Sequence, residues 1–145
     1  MSIIIWQPTV IVVYVIFYSD TMIHNLQVYR LWCIDDTFDT YPEEWKQMYT
    51  ISIIVDYHVI PIVFALLPSK LYKIYFEFLN ILKSLVIDLD PDIIITDFEL
   101  AAINAFKNAF PASHFTGYLF HLAKNIHRKI DQNSLGIEYA TNETL

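Results

Sequence analysis

Two aspartates carry the clearest chemistry in the sequence. Asp35 closes the apolar run Leu31–Ile34, and Asp97 closes Ile93–Thr96. Both runs are short and continuously apolar, the pattern of strands buried on two faces in a parallel layer. In an open α/β sheet, ligands bind beyond the carboxyl ends of the strands, where strand order reverses. If the two runs are neighbours, carboxylates far apart in sequence meet at that edge. Crowded carboxylates repel, and a hard divalent cation relieves the repulsion. Mg2+ accepts carboxylates, waters and phosphate oxygens. A pair of such ions about 3.5–4 Å apart stabilises both the attacking and the leaving oxygen of a phosphodiester. A plainer reading stands beside this one. Thr96-Asp97-Phe98-Glu99 has the form of a capping box, with Thr96 capping and Glu99 reaching back. Asp97 is then a first-turn acid favoured by the helix dipole, and Asp35-Asp36-Thr37 is a polar strand end.

Around these residues the chain alternates strand-like and helix-like segments. Ile3–Trp6 and Val10–Tyr18 are apolar, and the second reads as a buried strand rich in Ile, Val, Tyr and Phe. Ser19-Asp20-Thr21 is a turn or cap before a short helix at Met22–Arg30. Thr40–Glu44, with Pro42, is a loop. Gln47–Val55 and Val59–Leu67 flank Asp56-Tyr57-His58, which predicts a hairpin. From Leu71 to Leu85, apolar residues recur at spacings of three and four, an amphipathic helix. Phe98–Phe110 is a second long helix stopped by Pro111, His114–Leu119 a last strand, and Phe120–Ile130 a third helix. This order makes a mixed α/β layer fold in which a hairpin sheet is extended by crossover units. The chain divides into an apolar segment at 1–18, a core at 19–130 and a polar tail at 131–145.

Composition excludes several classes. Of 145 residues, 55% are hydrophobic, enough for a packed core and too many for a disordered chain. A single cysteine, Cys33, excludes a disulfide framework and thiolate-rich zinc sites; inside an apolar run it reads as a small core residue. Two glycines cannot make a glycine-rich phosphate loop. The net charge of −7 excludes a generic polycation, so any phosphate-binding surface is local. The longest clean apolar run near the start has nine residues, where a membrane helix needs about 20. No membrane is expected, although anchoring by Ile3–Tyr18 is the rival reading.

Four segments in one order resemble a known family. They are Trp32-Cys33-Ile34-Asp35-Asp36-Thr37-Phe38, Gln47–Ile51 with Pro61–Lys70, Ile94-Ile95-Thr96-Asp97-Phe98-Glu99 with Ala101-Ala102, and Gly117–His121 with Arg128-Lys129-Ile130. Over about residues 31 to 130 the chain is similar to the MULE-type (Mutator-like element) transposase domain. The resemblance implies a ribonuclease H-like fold: an antiparallel hairpin plus parallel crossover strands, flanked by helices. It also implies Mg2+- or Mn2+-dependent DNA strand cleavage and transfer by two Asp and one Glu. By position, Asp35 matches the first catalytic and metal-binding Asp and Asp97 the second. Asp36 stands where the family has Gly; an extra carboxylate there either turns to solvent or adds charge at the metal. His121 is an accessory candidate, whose usual Cys partner is Tyr118 here. Lys124, Arg128 and Lys129 are candidate DNA contacts, against the default of a solvated helix face. The third acid has no counterpart, Glu138 and Glu143 lying in the tail, so a truncated core inactive on its own is expected. The partner implied is transposon-end DNA, homo-oligomers are allowed, and the location is nuclear or intracellular. A non-catalytic, domesticated DNA- or protein-binding domain is the alternative.

Overall fold

The Asp56-Tyr57 pair sets the geometry of the largest hairpin. Both residues have positive φ, 48° and 67°, the mirror-image turn whose twist matches that of paired strands. It joins β4 (Gln47–Val55) to β5 (His58–Leu67) in antiparallel register, with Val55 opposite His58. A computed structural model describes residues 2–6, 14–37, 45–97 and 99–117 of the chain. Its other elements are β1 (Ser2–Trp6), β2 (Tyr14–Tyr18), α1 (Asn25–Val28), β3 (Leu31–Thr37), α2 (Tyr72–Leu85), β6 (Ile93–Thr96), α3 (Leu100–Ala109) and β7 (His114–Gly117). The seven strands form one sheet in the order β1-β2-β5-β4-β3-β6-β7. β3, β6 and β7 run parallel and the remaining neighbours antiparallel. The architecture is a mixed α/β layer, with three helices among the described residues.

The register of β4 and β5 shifts once, between Ile51 and Ser52. Ile62 is the extra residue of a bulge, and Pro61 sits beside it. Proline donates no backbone hydrogen bond, so a bulge is where a strand tolerates it. β6 is drawn beside β3 by the Arg30 carbonyl, which accepts from the Asp92 amide at 2.8 Å. The Arg30 guanidinium also meets Asp90 at 2.8 Å and Asp92 at 2.9 Å. These ion pairs are exposed and contribute little stability, but they set where β6 enters the sheet.

The described helices and the core they cover lie on one face. Alternation along β3 sends Trp32, Ile34 and Asp36 to that face. Trp32 meets Phe110 edge-on at 5.4 Å. Tyr49 and Ile51 of β4 are likewise buried there, under Ile74, Tyr75, Phe78, Leu79 and Leu82 of α2 and Ala102, Ala105 and Phe106 of α3. Each fully buried large side chain contributes about 1.5–3 kcal/mol, and α2 supplies five.

Several boundaries differ from the sequence expectation. The apolar opening forms two strands, β1 and the 14–18 part of the expected Val10–Tyr18 strand; residues 7–13 lie outside the described residues. The helix expected at Met22–Arg30 is a series of turns ending in the four residues of α1. Ser19 carbonyl accepts from the amides of Met22 and Ile23, and Tyr29 is already extended towards β3. The Thr40–Glu44 loop, the Phe120–Ile130 helix and the tail also lie outside the described residues.

Candidate functional site

Adjacent strand residues point to opposite faces, so Asp35 and Asp36 cannot share a site on one face. β3 pairs with β4 so that Trp32, Ile34 and Asp36 face the helices. The Asp36 side chain is only 1% exposed, whereas Asp35 is exposed on the other face beside Cys33, Thr50 and Ser52. The acidic group that Asp97 joins contains Asp36 rather than Asp35. The extra carboxylate turns inward, and the one that turns to solvent is Asp35. One carboxylate oxygen each from Asp36, Asp97 and Glu99 lies within 4.8 Å of the others.

The positions follow from the elements. β3 and β6 are parallel neighbours, with Cys33 opposite Ile95, so Asp36 and Asp97 emerge at the same end of the sheet. Glu99 sits at the start of α3. The capping box does not form. Glu99, not Thr96, occupies the capping position, and no side chain caps the helix. The Glu99 amide donates to Asp97 Oδ1 at 3.3 Å, which ties two of the three acids to one turn of backbone.

Three further side chains hold the group, and sequence reasoning missed them. Lys70, between β5 and α2, pairs with Asp36 Oδ2 and reaches Glu99 Oε2 at 3.4 Å. Tyr75 of α2 donates to Glu99 Oε1 at 2.7 Å and accepts from Gln47 Nε2 at 2.8 Å. Gln47 is completely buried. Sequence offered one clue, the lone cation of Pro68-Ser69-Lys70 immediately before a helix, but nothing in spacing directed it to Asp36.

The electrostatics are those of an incompletely neutralised acidic group. Burial raises the Asp36 carboxyl above its ordinary value, opposed by the hydrogen bond and charge of Lys70, while Glu99 and Asp97 push it further up. Burial works to lower Lys70, but its bond to Asp36 and the charges of Asp36 and Glu99 outweigh this and hold it raised. Among the described residues, two buried side-chain polar atoms have no hydrogen-bond partner, Asp36 Oδ1 and the Tyr49 hydroxyl. The Tyr49 phenol is raised by burial first, then by the charges of Tyr75, Asp97, Glu99 and Asp36. Orphaned buried oxygens of this kind cost free energy unless a water or an ion satisfies them. A trio of hard oxygen donors with spare lone pairs fits Mg2+ or Mn2+ better than any softer metal.

His121, Lys124, Arg128 and Lys129 lie outside the described residues. Among those that are described, no helix is long and apolar enough to cross a membrane. Comparison with known families matches residues 31–125 to the MULE transposase domain. No curated protein matches the chain.

Proposed function

The chain belongs to the MULE transposase domain family, and from that premise we propose that it is the core fragment of a DNA transposase, ribonuclease H-like in fold, holding a divalent cation at the ends of β3 and β6. The observation that carries this reading is the approach of Asp36, Asp97 and Glu99 oxygens to within 4.8 Å. Lys70 neutralises one of the three negative charges, so the ionised group keeps a net charge near that of one divalent ion in reverse. Asp97, at the mouth of the strand end, and the unpartnered Oδ1 of Asp36 are the ligands this chain offers. Glu99 is already engaged by Tyr75 and Lys70 and positions the group. When bound, such an ion lowers the pKa of a coordinated water and stabilises charge on the leaving oxygen of a phosphodiester. With no freely turning third carboxylate, the chain on its own binds metal and DNA without cutting.

A second assignment of the first ligand has its own support. Asp36 is paired with Lys70, while Asp35 occupies the motif position and is exposed. Calorimetric titration with Mn2+ separates the two. Asp97→Asn is expected to weaken binding by about 10–100-fold under either assignment. Asp36→Asn has the same effect if the inward group is the site, and Asp35→Asn then has none; the reverse pair of outcomes assigns the ligand to Asp35. Unchanged affinity in all three variants overturns the metal reading and leaves a domesticated binding domain without catalysis.

A further inference from the structure

Lys70 is held more firmly than a surface lysine needs to be. It stands in the link between β5 and α2, with 35% of its side chain exposed and its ammonium turned in to the acidic group. There it pairs with Asp36 Oδ2 and lies 3.4 Å from Glu99 Oε2. Both partners are themselves fixed. Asp36 belongs to β3 and its side chain is buried, while Glu99 Oε1 accepts from the Tyr75 hydroxyl at 2.7 Å. Buried Gln47 acts on both sides of the lysine. Its Nε2 donates to the Tyr75 oxygen at 2.8 Å and to the Ser69 carbonyl at 3.3 Å. Through Ser69 it pins the backbone next to Lys70, and through Tyr75 it orients the carboxylate that receives the ammonium. Lysine carries a compact charge on a flexible four-carbon stem, so a fixed place for Nζ has to be built from outside, as it is here.

We propose, resting on the metal reading of Asp36, Asp97 and Glu99, that Lys70 is a built-in second cation of this site. Its ammonium takes the place that a second divalent ion would occupy, so the group binds one ion rather than two. The Asp36 carboxylate divides its oxygens accordingly. Oδ2 is taken by Lys70, while Oδ1 is buried with no hydrogen-bond partner among the described residues. A carboxylate with one oxygen on a cation and the other open is placed to bridge two cations, as in centres where paired ions stand about 3.5–4 Å apart on a phosphodiester. Glu99 already has both oxygens engaged, one by Tyr75 and one by Lys70. Charge gives the same count. Three ionised carboxylates carry three negative charges and Lys70 cancels one, which leaves enough for one divalent ion and not for two. Because the Lys70 side chain is partly exposed, its charge is also open to a phosphodiester arriving from solvent.

The experiment counts Mn2+ per chain by calorimetric titration and reads the spin coupling of the bound ions by electron paramagnetic resonance. The unchanged chain is expected to hold one uncoupled ion. Lys70→Met is expected to hold two, with the coupling of ions about 3.5–4 Å apart. Lys70→Arg keeps the charge and holds one. Lys73→Met, which removes an exposed ammonium 3.7 Å from Glu77, also holds one. Should Lys70→Met fail to fold, reductive methylation of the unchanged chain, followed by mass spectrometry, reads the same point. Lys70 then stays slower to modify than Lys73 when Mn2+ is added. One ion in Lys70→Met, two in the unchanged chain, or faster modification of Lys70 on adding Mn2+ overturns the proposal and leaves the metal reading standing. Mn2+ bound by none of these chains overturns both.

Discussion

The smallest difference with the largest consequence is the phase of β3. Leu31–Ile34 is continuously apolar, so the sequence marks a buried strand but not which residues face the helices. Trp32 and Ile34 do, and the alternation carries Asp36 inward with them. Asp97 was legible as a strand-end acid because a strand end needs no phase. Glu99 was legible only as a helix-start residue, since its bonds run to Tyr75 and Lys70, which are distant in sequence. Removing the cation tests the arrangement. Lys70→Met is expected to destabilise the chain by about 2–3 kcal/mol in urea denaturation, below the ~3–5 kcal/mol of a fully buried pair, because the Lys70 side chain keeps 35% of its surface exposed. Adding Asp36→Asn should recover most of that loss, since no buried charge is then unpaired. The alkaline limb of stability tests the same residues. In the fold, burial and neighbouring negative charge hold Tyr49 and Tyr75 above 10.0, and Asp36 and Glu99 hold Lys70 above 10.5. The native chain thus keeps protons that the unfolded chain has released, so stability is full below pH 10.0 and falls as pH rises beyond it. Tyr75→Phe should flatten that fall in pH-dependent urea midpoints.

At the scale of elements, what repeats along the chain was readable and what depends on tertiary context was not. α2 shows its apolar spacing openly and runs Tyr72–Leu85, one residue from the expected start. β4, β5 and β6 keep their expected spans to within a residue. α1 failed as a long helix because Ile23 and Leu26 bury without a periodic face to extend, and Val28 is 70% exposed. The capping box failed because Glu99 finds a better partner in the Tyr75 hydroxyl than in a backbone amide. Two substitutions check the elements. Phe78 is fully buried and meets Tyr49 at 6.1 Å, so Phe78→Ala is expected to cost about 3–5 kcal/mol. Tyr57 holds φ at 67° with its side chain entirely in solvent. A residue with a Cβ there carries about 1–2 kcal/mol of strain that glycine lacks. Tyr57→Gly should therefore stabilise the chain by about 1 kcal/mol, a rise in Tm of roughly 3 °C by calorimetry.

At the scale of the whole molecule, charge governs how a DNA-handling domain could meet its ligand. Sixteen acidic residues against nine basic ones repel a polyphosphate, and the acidic group at the β3 and β6 ends adds to that repulsion locally. Attraction has to come from a bound divalent ion or from a cluster of cations. Lys124, Arg128 and Lys129 are the densest such cluster in the chain. Three phosphate contacts release few counterions, so log K should fall with log salt at a slope of about −2.7, far shallower than that of a polybasic binder. Fluorescence anisotropy with a short duplex, titrated with KCl in Mg2+ and in chelator, reads both terms. Changing all three residues to Ala is expected to remove the slope and leave the Mg2+-dependent part of the affinity. Asp97→Asn is expected to do the opposite, removing the Mg2+ dependence and keeping the slope. A slope unaffected by the triple change would place the phosphate contacts elsewhere on the surface and return Lys124, Arg128 and Lys129 to the role of a solvated helix face.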